Sequence, residues 1–342
     1  MKVAVLGLGA IGGLVAAYLK SKGIPVVCVG RLDQKKAIEK DGMIIEGVRG
    51  RSMVYLDVRP RLEERVDLAI IAVKTQDLRD CVDQSRDFLT GETIILSTQN
   101  GVRADRLLEM MLGKDNIISS IVMFGVTYSP YNRIVHNFEG NWLIGRPFGA
   151  NDEKVREVAE FLKVAFNTVE VEDISAMKWS KIFVNFSNCI PALIGKSVQE
   201  TYANMDMCKL SLRILKEGFE VAEKLGKKLL SMPDFDIEKL KGLSFMPLDE
   251  AAPIFSGIMI NLSKEPLYGS ILQSIQRGRP SEIDFINGEI ANQAKLNNVE
   301  AKLNTRVTEL VHQVESTGRF FKIDDFLAEV ERDAQLKRED FF

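Results

Sequence analysis

Short apolar runs separated by amphipathic stretches fill the first half of the chain. Val3–Leu6, Pro25–Gly30, Met43–Glu46, Ser52–Leu56, Val66–Val73, Thr93–Ser97 and Ile117–Phe124 read as strands. Runs such as Leu68-Ala-Ile-Ile-Ala-Val73 lack polar alternation, as suits parallel strands buried on both faces. Leu14–Ser21, a segment beginning near Gln34, Thr75–Phe88 and Arg103–Leu112 have the spacing of covering helices. Arg133–Asn137 and Asn141–Ile144 read as a late antiparallel pair, and Thr168–Val171 as a last strand. Between them Asn151-Asp-Glu153 opens a helix, with acidic residues where the helix dipole favours them. This alternation predicts a doubly wound α/β domain over residues 1–172.

From residue 173 strand signals become scarce. Ile174–Ile190, Asp206–Leu225, Ala251–Ile260, Tyr268–Gln276, Glu282–Leu296 and Thr305–Val314 have helical periodicity, so 173–342 is expected to form a mostly α-helical second domain. Residues 227–264, with several Pro and Met, read as either a lid or an inserted helical hairpin. The charged tail 321–342 carries apolar residues at helical spacing and reads as a helix packing on a neighbour or a partner.

Composition narrows the class. A chain of 342 residues exceeds what one core usually covers. The net charge of −3 gives no basic footprint for nucleic acid, and no apolar run is long enough to span a membrane. The apolar N-terminus is broken by glycines and lacks a small-residue cleavage site, so it does not read as a secretory signal. The four cysteines, Cys28, Cys81, Cys189 and Cys208, are dispersed, and there are two histidines, His136 and His312. That pattern argues against a metal site and for the reduced thiols of a cytoplasmic protein.

The chemistry begins at Gly7-Leu-Gly9-Ala-Ile-Gly12, set between the first strand and the first helix. Gly7 permits the tight turn, Gly9 lets the backbone approach a pyrophosphate, and Gly12 lets helix and strand pack closely. The free N–H groups and positive end of the helix then face the anion, which makes this a dinucleotide cradle of Rossmann type. The second strand ends in Gly30-Arg31, where NAD-selective sites usually place a carboxylate. A guanidinium there suits the 2′-phosphate of NADP(H). Asp33 is the competing ribose ligand, unless it serves as an N-cap for the helix near Gln34.

Ligands of open α/β sheets sit beyond the carboxyl ends of the strands, which singles out Val73-Lys74, Gln99-Asn100-Gly101 and Phe124-Gly125-Val126. Lys74 also reads as a solvated strand-end charge, and Asn100 as part of a plain Asn-Gly turn. In the second half, Lys181 and Asn185 lie one turn apart among Trp179, Ile182, Phe183, Val184 and Phe186. A lysine so placed either snorkels or is desolvated for use as an acid toward a carbonyl oxygen. Glu282 and Asp284 stand at a helix start, where capping is the plain alternative.

Together these segments resemble the ketopantoate reductase (2-dehydropantoate 2-reductase) family. The likeness is carried by the glycine turn, Val73-Lys74, Gln99-Asn-Gly101, Trp179-Ser-Lys181-Ile-Phe-Val-Asn185, Ser281-Glu-Ile-Asp-Phe-Ile-Asn-Gly288 and Asn304-Thr, in family order over residues 1 to 315. The resemblance implies NADPH bound between a Rossmann domain and a helical domain, and reduction of the ketone of a small 2-oxo acid. The implied substrate is 2-dehydropantoate, reduced to pantoate in pantothenate and coenzyme A biosynthesis. It implies that Gly7, Leu8, Gly9, Ala10, Ile11, Gly12, Arg31, Lys74, Asn100, Val126 and Glu282 contact the cofactor. It further implies Lys181 as proton donor with Glu282 beside it, and Asn185, Ser270 and the position of Cys189 at the substrate. An unperturbed lysine at Lys181 would be fully charged at neutral pH, and a carboxylate at Glu282 would help keep it so.

Three positions depart from the family pattern, with Cys189, Gln199 and Leu267 standing where asparagines are expected. Sites that hydrogen-bond a hydroxyl discriminate through such groups. A hydroxyacid- or opine-type dehydrogenase of another substrate is therefore the first rival, and a non-catalytic nucleotide sensor the second. Oligomeric state is left open, with a homodimer as the form considered.

Overall fold

The computed structural model describes residues 1–129 and 131–336, and side chains through 330. Its contacts divide it into one compact unit from Met1 to Lys178 and another from Trp179 onward. The fold is α/β in the first unit and helical in the second.

The strands of the first unit are β1 (Val3–Leu6), β2 (Val26–Val29), β3 (Met43–Gly47), β4 (Ser52–Val54), β5 (Asp57–Arg59), β6 (Leu68–Ile71), β7 (Ile94–Ser97), β8 (Ile117–Val122), β9 (Gly125–Ser129), β10 (Arg133–Phe138), β11 (Trp142–Gly145) and β12 (Thr168–Glu170). Eight form one sheet in the order β12-β11-β8-β7-β6-β1-β2-β5. From β8 to β5 every neighbouring pair is parallel. β1, β6 and β7 are buried along their whole length, because helices cover both faces. Val3 and Val5 enter one core, and Ala4 and Leu6 enter the other, the two-residue alternation of a pleated strand. The covering helices are α1 (Ala10–Ser21), α2 (Leu32–Asp41), α3 (Leu78–Ser85), α4 (Ala104–Leu112) and α5 (Glu153–Lys163). Strand order reverses between β1 and β6, so crossovers leave on opposite faces there and open a crevice at the strands' carboxyl ends.

The expected hairpin of residues 133–137 with 141–144 does not form. β10 pairs with β9 and β3 in a separate four-stranded sheet, whereas β11 joins the main sheet antiparallel to β8. The small sheet packs on α1, where a Cβ on Gly13 would lie 2.5 Å from Ile134 Cδ1. A glycine there lets helix and sheet approach. The predicted helix over 75–88 starts as a 3₁₀ turn, Thr75–Asp77, before α3.

Helix α6 (Ile174–Phe186) runs from the first unit into the second. There follow α7 (Cys189–Ile194), α8 (Val198–Tyr202), α9 (Met205–Lys224), α10 (Ile237–Phe245), α11 (Leu248–Ile260), α12 (Ser270–Gln276), α13 (Asn287–Leu296), α14 (Lys302–Thr317) and α15 (Ile323–Leu336). The expected single helix 174–190 breaks at Ser187-Asn188. Pro191 has no N–H to offer the Ser187 carbonyl four residues back, and Tyr202 Oη donates to that oxygen instead, at 2.5 Å. The hard-to-place stretch 227–264 is helical, with α10 and α11 both packing on α9. For the tail, the helical reading meets α15, and residues 337–342 lie outside the described residues.

Candidate active site

The glycine turn does in three dimensions what its spacing requires. Gly7 adopts φ +104°, and a Cβ on it would sit 2.7 Å from Val73 Cγ1. A Cβ on Gly12 would lie 2.0 Å from the Gly7 carbonyl oxygen and 2.9 Å from Ala72 Cβ, so α1 can lean on β1 and β6 only without one. Gly9 differs. A Cβ there meets no protein atom within 4 Å, so protein packing does not demand glycine at that position. Gly9 is also the N-cap of α1 and supplies no side-chain cap, which leaves the first-turn N–H groups for an anion. These are the features a pyrophosphate cradle needs, and they fit a dinucleotide.

A buried glutamine, which the sequence reading missed, braces this turn. Gln34 Nε2 donates to the Leu8 carbonyl and to Tyr128 Oη, both at 2.6 Å. Its Oε1 accepts from the Arg31 N–H at 3.1 Å. One side chain thus fixes the glycine turn, the end of β2 and the small sheet. Arg31 is the N-cap of α2, which starts at Leu32, so Asp33 is not the cap but lies in the first turn. Asp33 instead pairs with Arg31, with Nε to Oδ1 at 3.2 Å and both side chains 44% exposed. Burial works against the Asp33 charge, but the Gln34 N–H and the Arg31 guanidinium outweigh it and hold the carboxyl below its usual range.

At the neighbouring strand ends, Lys74 precedes the 3₁₀ turn and Asn100 precedes Gly101, whose φ is +79°. Thr75 Oγ1 donates to the Asn100 carbonyl at 3.5 Å, bringing the two loops together beside β1. Gln99 is structural: its Nε2 donates to the carbonyls of Ile71 and Val73 at 2.8 and 2.9 Å. Val126 lies on β9 opposite His136, half-buried, and packs on the core around α1.

In the second unit the helix carrying Lys181 is clamped. Phe183 and Phe186 are fully buried, and Phe183 stacks on Phe219 of α9 with ring centroids 4.1 Å apart. A Cβ on Gly218 would lie 2.5 Å from Phe186, so glycine lets that ring close on α9. Ser180 Oγ accepts from the Leu230 N–H at 2.9 Å, and Lys227 Nζ sits 4.9 Å from the Trp179 ring centre. Lys181 and Asn185 are half-buried on this helix. The ordinary lysine value assumed from sequence does not hold. Burial lowers the Lys181 ammonium to about 8, below the ordinary lysine range.

Glu282 is buried and precedes a 3₁₀ turn, Ile283–Phe285; the α-helix expected from 282 begins only at Asn287. The distinctive residues around it form a network. Asn287 Nδ2 donates to Asn304 Oδ1 at 3.1 Å, and Asn304 Nδ2 donates to Glu217 Oε1 at 2.9 Å. Glu217 of α9 also accepts the Leu303 and Asn304 N–H groups at 2.9 and 2.8 Å, capping α14 from outside. Ser270 is exposed in the first turn of α12. Cys189 lies in the core, where burial raises its thiol to about 12. Gln199 spends its amide on backbone, donating to Ser263 and Glu265 carbonyls and accepting from the Leu267 N–H.

A doubly wound domain with a diphosphate-type turn at its switch point, joined to a helical unit bearing a desolvated lysine, defines a dinucleotide-dependent oxidoreductase architecture. The comparisons narrow this. The ketopantoate reductase PanE/ApbA family matches residues 3–147, and its C-terminal counterpart matches 173–315. The 2-dehydropantoate 2-reductase of Pyrococcus horikoshii is 31% identical over 320 residues, covering 93% of this chain and 99% of that protein. That of Archaeoglobus fulgidus is 26% identical, covering 92% and 98%. The chain belongs to the ketopantoate reductase family, a family of pyridine nucleotide-dependent oxidoreductases. Among solved structures, a ternary complex of D-mandelate dehydrogenase with NADH and anilino(oxo)acetate superposes with a TM-score of 0.80 at 21% identity, covering 93% of this chain and 99% of the other. A PanE/ApbA family ketopantoate reductase from Ralstonia eutropha gives 0.77 at 22%, covering 92% and 99%. Both share the fold.

Proposed function

We propose that this protein reduces the 2-oxo group of a small 2-oxo acid with NADPH, and that 2-dehydropantoate, on the route to pantothenate, is its substrate. The observation that carries the reading is Lys181, a lysine on a rigidly packed helix whose ammonium burial brings to about 8, near the ideal for a general acid at neutral pH. When bound, the nicotinamide supplies a hydride. The backbone N–H groups of the Gly7–Gly12 turn and the positive end of α1 hold the pyrophosphate, with Lys74, Asn100 and Val126 as the neighbouring contacts. Arg31 takes the 2′-phosphate by exchanging its Asp33 partner for phosphate oxygens. Lys181 stabilises the negative oxygen that develops on the reduced carbonyl and donates a proton to it. Asn185 and Ser270 orient the substrate, and Glu282 accepts hydrogen bonds from cofactor or substrate hydroxyls.

A second reading, another 2-oxo acid as substrate, is favoured by Gln199, whose amide is committed to the 263–267 backbone, and by the enclosed Cys189. A substrate panel decides between them. Nucleotide oxidation with 2-dehydropantoate should exceed that with other branched, linear or aromatic 2-oxo acids in kcat/KM, whereas a higher value for one of these would move the assignment to that acid. In the same assay Arg31→Ala is expected to lower kcat/KM for NADPH by about tenfold or more, the loss of one charge-assisted contact, and to leave NADH nearly unchanged. An unaltered NADPH/NADH ratio would show that Arg31 does not read the phosphate.

A further inference from the structure

The turn that carries Glu282 is fastened by a histidine set between two carboxylates. His312 of α14 places Nε2 2.9 Å from Asp284 Oδ1 and Nδ1 3.0 Å from Glu315 Oε2. The other oxygen of Glu315 accepts the Ser281 N–H at 2.7 Å. Ser281 and Asp284 flank Glu282 in sequence, so both ends of this turn are tied to one face of α14. Several other charged groups on the packed elements are engaged elsewhere. Glu309, one turn back, and Glu329 of α15 pair with Arg306, Glu217 of α9 caps α14, and Glu289 of α13 accepts from Gln293. Among the described residues, Asp284 and Glu315 are the charged groups in contact with the imidazole.

We infer that His312 is a positioning residue for Glu282, and that its doubly protonated form is the staple that holds the Ser281–Asp284 turn. The inference rests on the proposed role of Glu282 at the cofactor and substrate hydroxyls. The chemistry is one of counting donors. An imidazolium has two N–H groups and serves both carboxylates; a neutral imidazole has one, so its other nitrogen faces a carboxylate lone pair to lone pair and that leg is released. Burial opposes the charge on His312, but hydrogen bonds to Asp284 and Glu315 outweigh it and raise the imidazole above its ordinary 6.5. A group raised on folding contributes its stabilisation fully below the unfolded value and loses it as pH climbs through the folded one. The staple is therefore closed on the acid side of 6.5 and opens above it.

The test compares the full-length wild type with His312→Gln, a neutral side chain at a position 45% exposed. Amide hydrogen exchange over the peptide 281–285, corrected for intrinsic rates, should show wild-type protection that falls as pH rises from about 6 to about 9, and low protection throughout in the variant. The ratio of wild-type to variant kcat/KM should be about tenfold at the acid end, the value of one charge-assisted hydrogen bond, and should converge toward one at the alkaline end. Titration of Lys181 affects both proteins alike and cancels in that ratio. Equal protection in the two proteins, or a ratio that does not change with pH, overturns the proposal. Inactivity of both proteins with 2-oxo acids counts instead against the role of Glu282 on which the proposal rests, and the exchange arm still decides the staple.

Discussion

Lys181→Ala is expected to lower turnover by about 10²–10⁴-fold, the usual contribution of a positioned general acid, while nicotinamide nucleotide binding stays close to that of the wild type. Cradle and lysine are separate devices: the glycine turn, Gln34 and Arg31, proposed to hold the nucleotide, belong to the α/β unit, and Lys181 belongs to the helical unit. Burial of the ammonium is expected to show in the pH profile. With its midpoint lowered to about 8, Lys181 is charged at neutral pH, so ketone reduction should be level there and decline as pH rises through about 8. Oxidation of the 2-hydroxy acid needs the neutral amine and should increase through the same range. Rate measurements in both directions, with nucleotide titrations of wild type and variant, check this. A variant that retains full turnover removes the lysine from the chemistry.

Asp105→Ala is expected to destabilise the first unit by about 3–5 kcal/mol, because it strands a buried ammonium. Lys178 and Asp105 have side-chain exposures of 3% and 7% and meet at 2.9 Å. The same carboxylate oxygen accepts from Ser119 Oγ at 2.7 Å, so α4, β8 and α6 converge on one anion. Thermal unfolding should shift down by roughly 6–20 °C for a unit of this size. Replacing both charges, with Asp105→Leu and Lys178→Met together, should recover much of the loss, since an apolar pair of similar volume leaves no uncompensated charge. A single variant that melts with the wild type would mean that water reaches Lys178 and solvates it.

What the chain revealed without coordinates follows the range of the interactions involved. Gly7, Gly9 and Gly12 were legible because their demands are local: a positive φ, a close helix–strand approach and a free helix start lie within a few residues. The buried strands β1 and β6 were legible because burial on both faces leaves no polar position, and β7 because Ser97 is its one polar residue. Pairing of β10 with β3 was not, since residues 133–138 have the same alternation whichever partner they take. The three-residue β5 and the five-residue α8 were missed, and so was β9, because Phe124-Gly125-Val126 reads as the end of the preceding strand. Polar braces also escaped. Gln34 reaches Leu8 across 26 residues, and Glu217 reaches Leu303 across 86, distances over which no motif speaks. Lys178 and Lys181 sit on one helix and are alike in composition. Only packing distinguishes the one neutralised by Asp105 from the one shifted by burial. For Gln199 and Asn304 the positions were noticeable, but their backbone and capping partners were not.

Deuterium transfer from NADPH labelled at the reactive C4 position tests the reductase assignment most directly. Incubated with 2-dehydropantoate and this protein, the labelled cofactor should yield a 2-hydroxy acid bearing deuterium at C2, with one nucleotide oxidised per product formed. A nucleotide that binds tightly yet passes no label to this or any other 2-oxo acid would contradict the account, and would leave a protein that holds the dinucleotide without using it.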